Sequence, residues 1–194
     1  MRIVVMNHIT LDGVMQGPGR VDEDTRDGFV HGGWATSRSD DLVGQAMGER
    51  MAAGGGLAGW LFGRRTYEDL LGHWNSVPDS PFAEALNNAR KYVASTTLRE
   101  PLPWPNSTLL GVDAVEAVAR VREEPGGVLG IMGSGVLIQA LRRDSLIDEY
   151  LLMIHPIVLG SGRRLFNGGP PTELTLIDIK TSSSGVILAT YEAA

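Results

Sequence analysis

Apolar positions along the chain alternate between short continuous runs and helical stripes. Arg2–Met6 is a β-branched run that predicts a strand buried on both faces. Val43, Met47 and Met51, joined by Leu42 and Ala46, recur at four-residue spacing and predict a helix from Asp40 to Ala53. A serine of Ser37–Arg38–Ser39 is its expected cap, with Asp40 and Asp41 in the first turn. Leu57–Phe62 predicts a second strand, and Arg64–Trp74 a helix with Tyr67, Leu70, Leu71 and Trp74 on one side. Ser80–Pro81 reads as an N-cap followed by proline at the first helical position, opening Phe82–Arg90. Lys91–Ser95 and Ser107–Gly111 are the third and fourth strands. Asp113 with Glu116 makes a capping-box pattern before Val115, Val118 and Val121.

Gly127–Met132 is a fifth strand that runs into Gly133–Ser134–Gly135 and a helix carrying Val136, Leu137, Ala140 and Leu141. From Ile147 the pattern changes. Ile147–Leu159, Glu173–Thr181 and Val186–Glu192 are strand-like, with no helical period between them. Strands alternating with helices, then strands alone, predict one α/β domain over residues 1–194. Its sheet is expected to be mostly parallel, ending in an antiparallel hairpin. One stretch has no period: Asn7 to Arg38, with glycines at 13, 17, 19, 28, 32 and 33. A connection of that length is uncommon and usually functional.

Composition narrows the classes. The 194 residues include 25 Gly, 10 Pro and no Cys, which excludes a disulfide scaffold, a thiolate nucleophile and a cysteine zinc site. A net charge of -6 argues against binding nucleic acid or anionic membrane. Met1–Met6 is too short for a signal segment, and the uncharged stretch Gly126–Leu141 is too short to span a bilayer, so a cytoplasmic enzyme is expected.

Two strand-to-helix junctions carry candidate chemistry. In Gly63–Arg64–Arg65–Thr66, glycine allows close backbone approach, the helix start offers free N–H groups, and two arginines and a hydroxyl suit a phosphate monoester. Gly133–Ser134–Gly135–Val136–Leu137 is a small-residue turn opening a helix, suited to a pyrophosphate, although it is neither GxGxxG nor a Walker motif. Each alone reads equally well as a plain helix start. In a parallel sheet both face the edge where α/β ligands bind. Thr10–Leu11–Asp12–Gly13 leaves the first strand as a turn expected to lie over that ligand. The four histidines (His8, His31, His73, His155) share no metal-ligand spacing and are expected at the surface or in loops. Trp34 is expected in core packing, and Asp22–Glu23–Asp24 in a solvated loop. Arg163–Arg164, after Gly160–Ser161–Gly162, reads either as a second phosphate group or as a solvent-facing pair.

Taken together, Thr10–Gly13, Phe62–Glu68, Lys91–Ser95, Gly133–Leu137, Leu146–Tyr150 and Pro156–Phe166 give a recognisable order of motifs. Gly32–Gly33–Trp34 is typical of stand-alone members. The sequence resembles the dihydrofolate reductase-like superfamily, specifically relatives of the C-terminal reductase domain of the bacterial bifunctional riboflavin-biosynthesis deaminase-reductase. The resemblance implies a three-layer fold, an NADPH cofactor, a small-molecule substrate and a homodimer. It implies that Gly63, Arg64, Arg65 and Thr66 face the 2′-phosphate and pyrophosphate, with Ser95 and Thr96 near the 2′-phosphate. Gly133, Ser134, Gly135, Val136 and Leu137 would hold the pyrophosphate, and Thr10, Leu11 and Gly13 would flank the nicotinamide. Asp12 and Asp41 are the candidate catalytic carboxylates. No acid on the first long helix falls where dihydrofolate reductase places its pterin-orienting carboxylate; Met47 is closer. The implied function is hydride transfer to a small heterocycle, resembling 5-amino-6-(5-phosphoribosylamino)uracil reductase. The alternative is a non-catalytic NADP-nucleotide-binding or sensor protein of the same fold.

Overall fold

Apolar runs form a central sheet, and the amphipathic stretches between them form the helices that cover it. The computed structural model describes residues 1–194 except Ser39. The strands are β1 (Arg2–Thr10), β2 (Leu57–Gly63), β3 (Lys91–Ala94), β4 (Ser107–Leu109), β5 (Val128–Ile131), β6 (Glu149–His155), β7 (Leu174–Thr181) and β8 (Ile187–Ala193). They lie in the order β4-β3-β2-β5-β1-β6-β8-β7. The pairings among β1 to β6 are parallel, whereas β8 runs antiparallel to both β6 and β7. This is the mostly parallel sheet with a C-terminal antiparallel hairpin that the pattern predicts.

The helices are α1 (Asp41–Ala52), α2 (Arg64–Ser76), α3 (Pro81–Asn88), α4 (Ala114–Glu123) and α5 (Gly135–Arg143). Successive β1 residues point to opposite faces. Ile3, Val5 and Ile9 pack with Val118 and Val121 of α4 and with Leu137, Ile138 and Leu141 of α5. Val4 and Met6 pack on the other side with Tyr67 and Leu71 of α2 and Leu86 of α3. Val43 and Ala46 of α1 cover Met153 and Leu188 on that same face. Each buried leucine-sized side chain contributes about 1.5–3 kcal/mol, so both helical layers are held by the same strand.

Local signals mostly hold, with instructive exceptions. Ser80 caps α3 as expected, accepting from Ala83 N–H at 3.2 Å. Asp113 sits at the N-cap of α4 without a side-chain cap bond, so the capping box does not form. Asp40, not a serine, occupies the N-cap of α1; Ser37 lies in a short 3-10 turn and Ser39 lies outside the described residues. β1 outruns its apolar signal because β6 supplies a partner for every residue from Val4 to Thr10. Lys91 opens β3 fully excluded from solvent. Its ammonium donates to the carbonyls of Leu86 (2.6 Å), Ala89 (2.7 Å) and Asn87 (3.2 Å) at the end of α3, where the helix dipole is negative. Burial without a carboxylate partner pushes its pKa down to about 8.

The segment from Leu11 to Asp40 is held by specific bonds. Trp34 is buried, as expected, and its indole N–H donates to Gln16 C=O at 2.7 Å. Within the acidic run, Glu23 is not simply solvated: its carboxylate accepts from the N–H groups of Gly19 and Arg20 at 2.6 and 3.0 Å. Arg20 reaches Asp69 of α2 at 2.5 Å, which ties the segment to the helix that starts at Gly63.

Candidate functional site

Strand register lines up the two junctions. β2 ends at Gly63, whose neighbour on β3 is Ala94, and Leu61 pairs with Ile131 of β5. Ile131 also pairs with Val5 of β1, so Gly63, Gly133 and Asn7 stand in one row across three strands. Asn7 fixes that row by accepting from Gly133 N–H (2.6 Å) and donating to Gly133 C=O (3.1 Å).

The two helix starts are locked to each other. Ser134 Oγ accepts from Gly63 N–H at 3.0 Å, and Ser134 N–H donates to Thr66 Oγ1 at 2.9 Å. Ser134 adopts a left-handed conformation (φ 54°) and makes no side-chain cap bond to α5. The N–H groups of Gly135, Val136 and Leu137 consequently have no acceptor among the described residues. Glycine is needed at 133, where φ is +57° and an added Cβ would lie 2.8 Å from both Cγ2 and Oγ1 of Thr66. Met15, from the segment after β1, reaches over the start of α5; its sulfur lies 2.9 Å from where a Cβ on Gly135 would stand. The edge thus combines uncapped helix donors, a backbone bare of side chains and a covering loop.

The remaining predicted residues divide by their surroundings. Arg65 is exposed and has no ion pair among the described residues, whereas Arg64 holds Glu68 at 2.8 Å. Ser95 is buried, its hydroxyl accepting from the N–H groups of Thr97 (3.1 Å) and Leu98 (3.0 Å), while Thr96 is exposed. Thr10 is buried, and Leu11 and Val136 are exposed. Thr10 donates to Asp12 Oδ1 at 2.6 Å and accepts from Val14 N–H at 2.9 Å. Asp12 also accepts from the N–H groups of Leu159 (3.2 Å) and Gly160 (2.9 Å), and these bonds hold its pKa down at about 2. Asp12 is therefore held ionised as a staple between two loops, its oxygens bound by Thr10, Leu159 and Gly160. Asp41 is exposed on the first turn of α1.

Arg163 and Arg164 are solvent-facing, as one of the two expected readings has it, and each also holds a surface partner. Arg163 pairs with Asp27 at 2.8 Å, and Arg164 donates to Asp12 C=O at 2.9 Å. His8 and His155 also depart from expectation. Both are strand residues, with His8 Nδ1 2.9 Å from His155 Nε2. A period-2 reading of β1 past Met6 was the signal that places His8 on a packed face. Two surface concavities of about 340 and 370 Å³ lie at the other end of the parallel strands, around Arg2, Arg122 and Asp148. Arg2 is paired with Glu192 and Arg122 with Asp148, so those cations are already neutralised.

Over residues 2–188 the sequence matches the family described as the RibD C-terminal domain. The chain belongs to that family. YyaP of Bacillus subtilis (strain 168) is 31% identical to it over 138 residues, spanning 68% of this chain and 71% of YyaP. A Shewanella sp. PV-4 protein, described as a candidate for riboflavin biosynthesis, superposes on all of this chain and 99% of its own with a TM-score of 0.75 at 23% identity. The Thermotoga maritima diaminohydroxyphosphoribosylaminopyrimidine deaminase/5-amino-6-(5-phosphoribosylamino)uracil reductase matches all of this chain with 56% of its own (TM-score 0.63, 15% identity). Dihydrofolate reductase of Enterococcus faecalis, solved with NADP(H), covers 99% of this chain and 96% of its own (TM-score 0.57, 11% identity). This RibD C-terminal domain protein therefore has the dihydrofolate reductase-like fold. Among its described residues no helix is long and apolar enough to cross a membrane.

Proposed function

We propose that this protein is an NADPH-dependent reductase that delivers hydride to a small heterocyclic acceptor. The observation that carries the reading is the pair of uncapped helix starts bound side by side through Ser134, Gly63 and Thr66. A dinucleotide needs two adjacent anion-binding backbones, and helix N-termini supply them. The donor set fits the cofactor: free N–H groups of Gly135 to Leu137 for the pyrophosphate, and Arg65 with Thr96 for the 2′-phosphate. Bound NADPH would supply the hydride, while the protein supplies binding, orientation and exclusion of water. Thr10 and Asp12 hold the turn that flanks this edge, and Met15 covers it.

Arg65→Ala is expected to weaken NADPH about tenfold, equivalent to about 1.4 kcal/mol, and NADH less than twofold. Arg64→Ala should change either nucleotide less, because its guanidinium is held by Glu68. Fluorescence titration of both nucleotides checks this, and equal losses for the two would contradict 2′-phosphate recognition. A second reading, nucleotide binding without catalysis, draws on the staple role of Asp12, whose carboxylate is held ionised and so offers no proton. Following NADPH absorbance with pyrimidine, pterin and quinone acceptors separates the two: turnover supports the reductase, and binding without turnover supports the sensor.

A further inference from the structure

Two histidines that the cofactor edge does not use meet one strand away from it. Val5 is the last β1 residue paired with β5, and Asn7 stands opposite Gly133. His8 is therefore the next β1 residue after the one whose side chain holds Gly133. Its side chain leaves the face opposite to that of Asn7, the face covered by α1 and α2. There its ring meets His155, with centroids 5.1 Å apart and planes at 45°. His155 is fully excluded from solvent, and the Trp34 indole packs edge-on against it at 5.2 Å. His8 is partly exposed.

The position of the shared proton follows from what surrounds each nitrogen. His155 Nδ1 is solvent-excluded and has no hydrogen-bond partner among the described residues. If His8 Nδ1–H donated, a neutral His155 would carry its own proton on Nδ1, burying an N–H without an acceptor at a cost of about 1–3 kcal/mol. If His155 Nε2–H donates to His8 Nδ1, the enclosed nitrogen is only a bare lone pair. His8 then carries its proton on Nε2, the ring nitrogen of the pair that has no bond among the described residues and is not enclosed. Neither ring has a carboxylate partner among the described residues.

We propose that His8 Nε2–H is a neutral hydrogen-bond donor that grips the carbonyl oxygen of the hydride acceptor, with His155 as the positioning residue that fixes its tautomer. The proposal rests on the reductase reading. It makes the acceptor a neutral, carbonyl-bearing ring rather than a cationic or amine-donor ring. The pair transfers no proton of its own. Hydride adds to the acceptor carbon as the dinucleotide is oxidised, the displaced electron pair settles on the oxygen held by His8, and water supplies the proton. A neutral imidazole N–H is sufficient to polarise a carbonyl in this way.

The test is nitrogen-15 NMR of the full chain at pH 7, followed by menadione and 2,4-diaminopyrimidine as probes in the presence of NADP+. Both rings are expected as Nε2–H tautomers, with the His8 Nε2 resonance moving with menadione and not with the diaminopyrimidine. His8→Phe should lower NADPH–menadione turnover about 10- to 100-fold with the NADPH dissociation constant within twofold, and His8→Gln, which keeps an N–H donor, should recover most of it. A proton on His155 Nδ1, no response to menadione, or undiminished turnover in His8→Phe overturns the proposal. If wild-type protein does not bind NADPH, the reductase reading fails, and the proposal with it, whatever the tautomers are.

Discussion

Gly133→Ala is expected to destabilise the protein by about 2–3 kcal/mol and to weaken NADPH at least tenfold. Two costs add. A left-handed conformation costs an L-residue roughly 1–2 kcal/mol, and residue 133 sits at φ +57°. The new Cβ would also press on Thr66, 2.8 Å away, and force the threonine to rotate off Ser134 N–H. Losing that bond costs about 1 kcal/mol more and unlocks the two helix starts from each other. For a chain of this length, each kcal/mol lowers the thermal midpoint by about 2–4 °C. Gly13→Ala is the control. Gly13 has φ +80° but nothing within 4 Å of an added Cβ, so it carries the backbone strain alone. Thermal melts with nucleotide titrations compare the two; equal effects would mean that the Thr66 contact has no consequence.

Stability is expected to fall between pH 6.5 and 4.5 by an amount set by the histidine pair. Burial is the main cause that lowers the pKa of both His8 and His155 to about 4, and each is also pushed down by a neighbouring group, His155 for His8 and Arg38 for His155. In the unfolded chain both titrate near 6.5. Below 6.5 the unfolded state therefore binds more protons than the folded state, and the contribution of the neutral pair is fully present above 6.5 and lost as pH falls toward 4. For the fully buried His155 the loss is on the order of 3 kcal/mol. The Asp12 staple titrates lower, near 2, so its loss falls outside this window. Urea midpoints measured from pH 7 to 4.5 should fall in the wild type and fall less in His155→Gln. A wild-type profile that is flat or rises on acidification would contradict the buried neutral pair.

The sheet was legible because its strands are continuous apolar runs and its helices carry clear stripes. The two junctions were legible as helix starts, since a small-residue turn between an apolar run and a helical stripe marks where strand gives way to helix. What the sequence could not show was how side chains share partners at a distance. Asp12 reads as a pocket acid, and nothing local shows that Leu159 and Gly160, far along the chain, bind its oxygens. Arg163 and Arg164 are solvent-facing, but their partners, Asp27 and the turn after β1, lie far back along the chain. His8 hid because the polar residues Asn7 and His8 interrupt the apolar run of β1, although β6 carries the strand to Thr10. Local pattern encodes elements; partner choice belongs to the folded topology.

Hydrogen exchange with and without saturating NADPH tests the central claim most directly. Slowed exchange is expected at the N–H groups of Gly135, Val136 and Leu137, and at the start of α2 near Arg65 and Thr66. No protection there, or protection instead around Arg2, Arg122 and Asp148 at the opposite end of the strands, would contradict a cofactor edge built on Gly63 and Gly133.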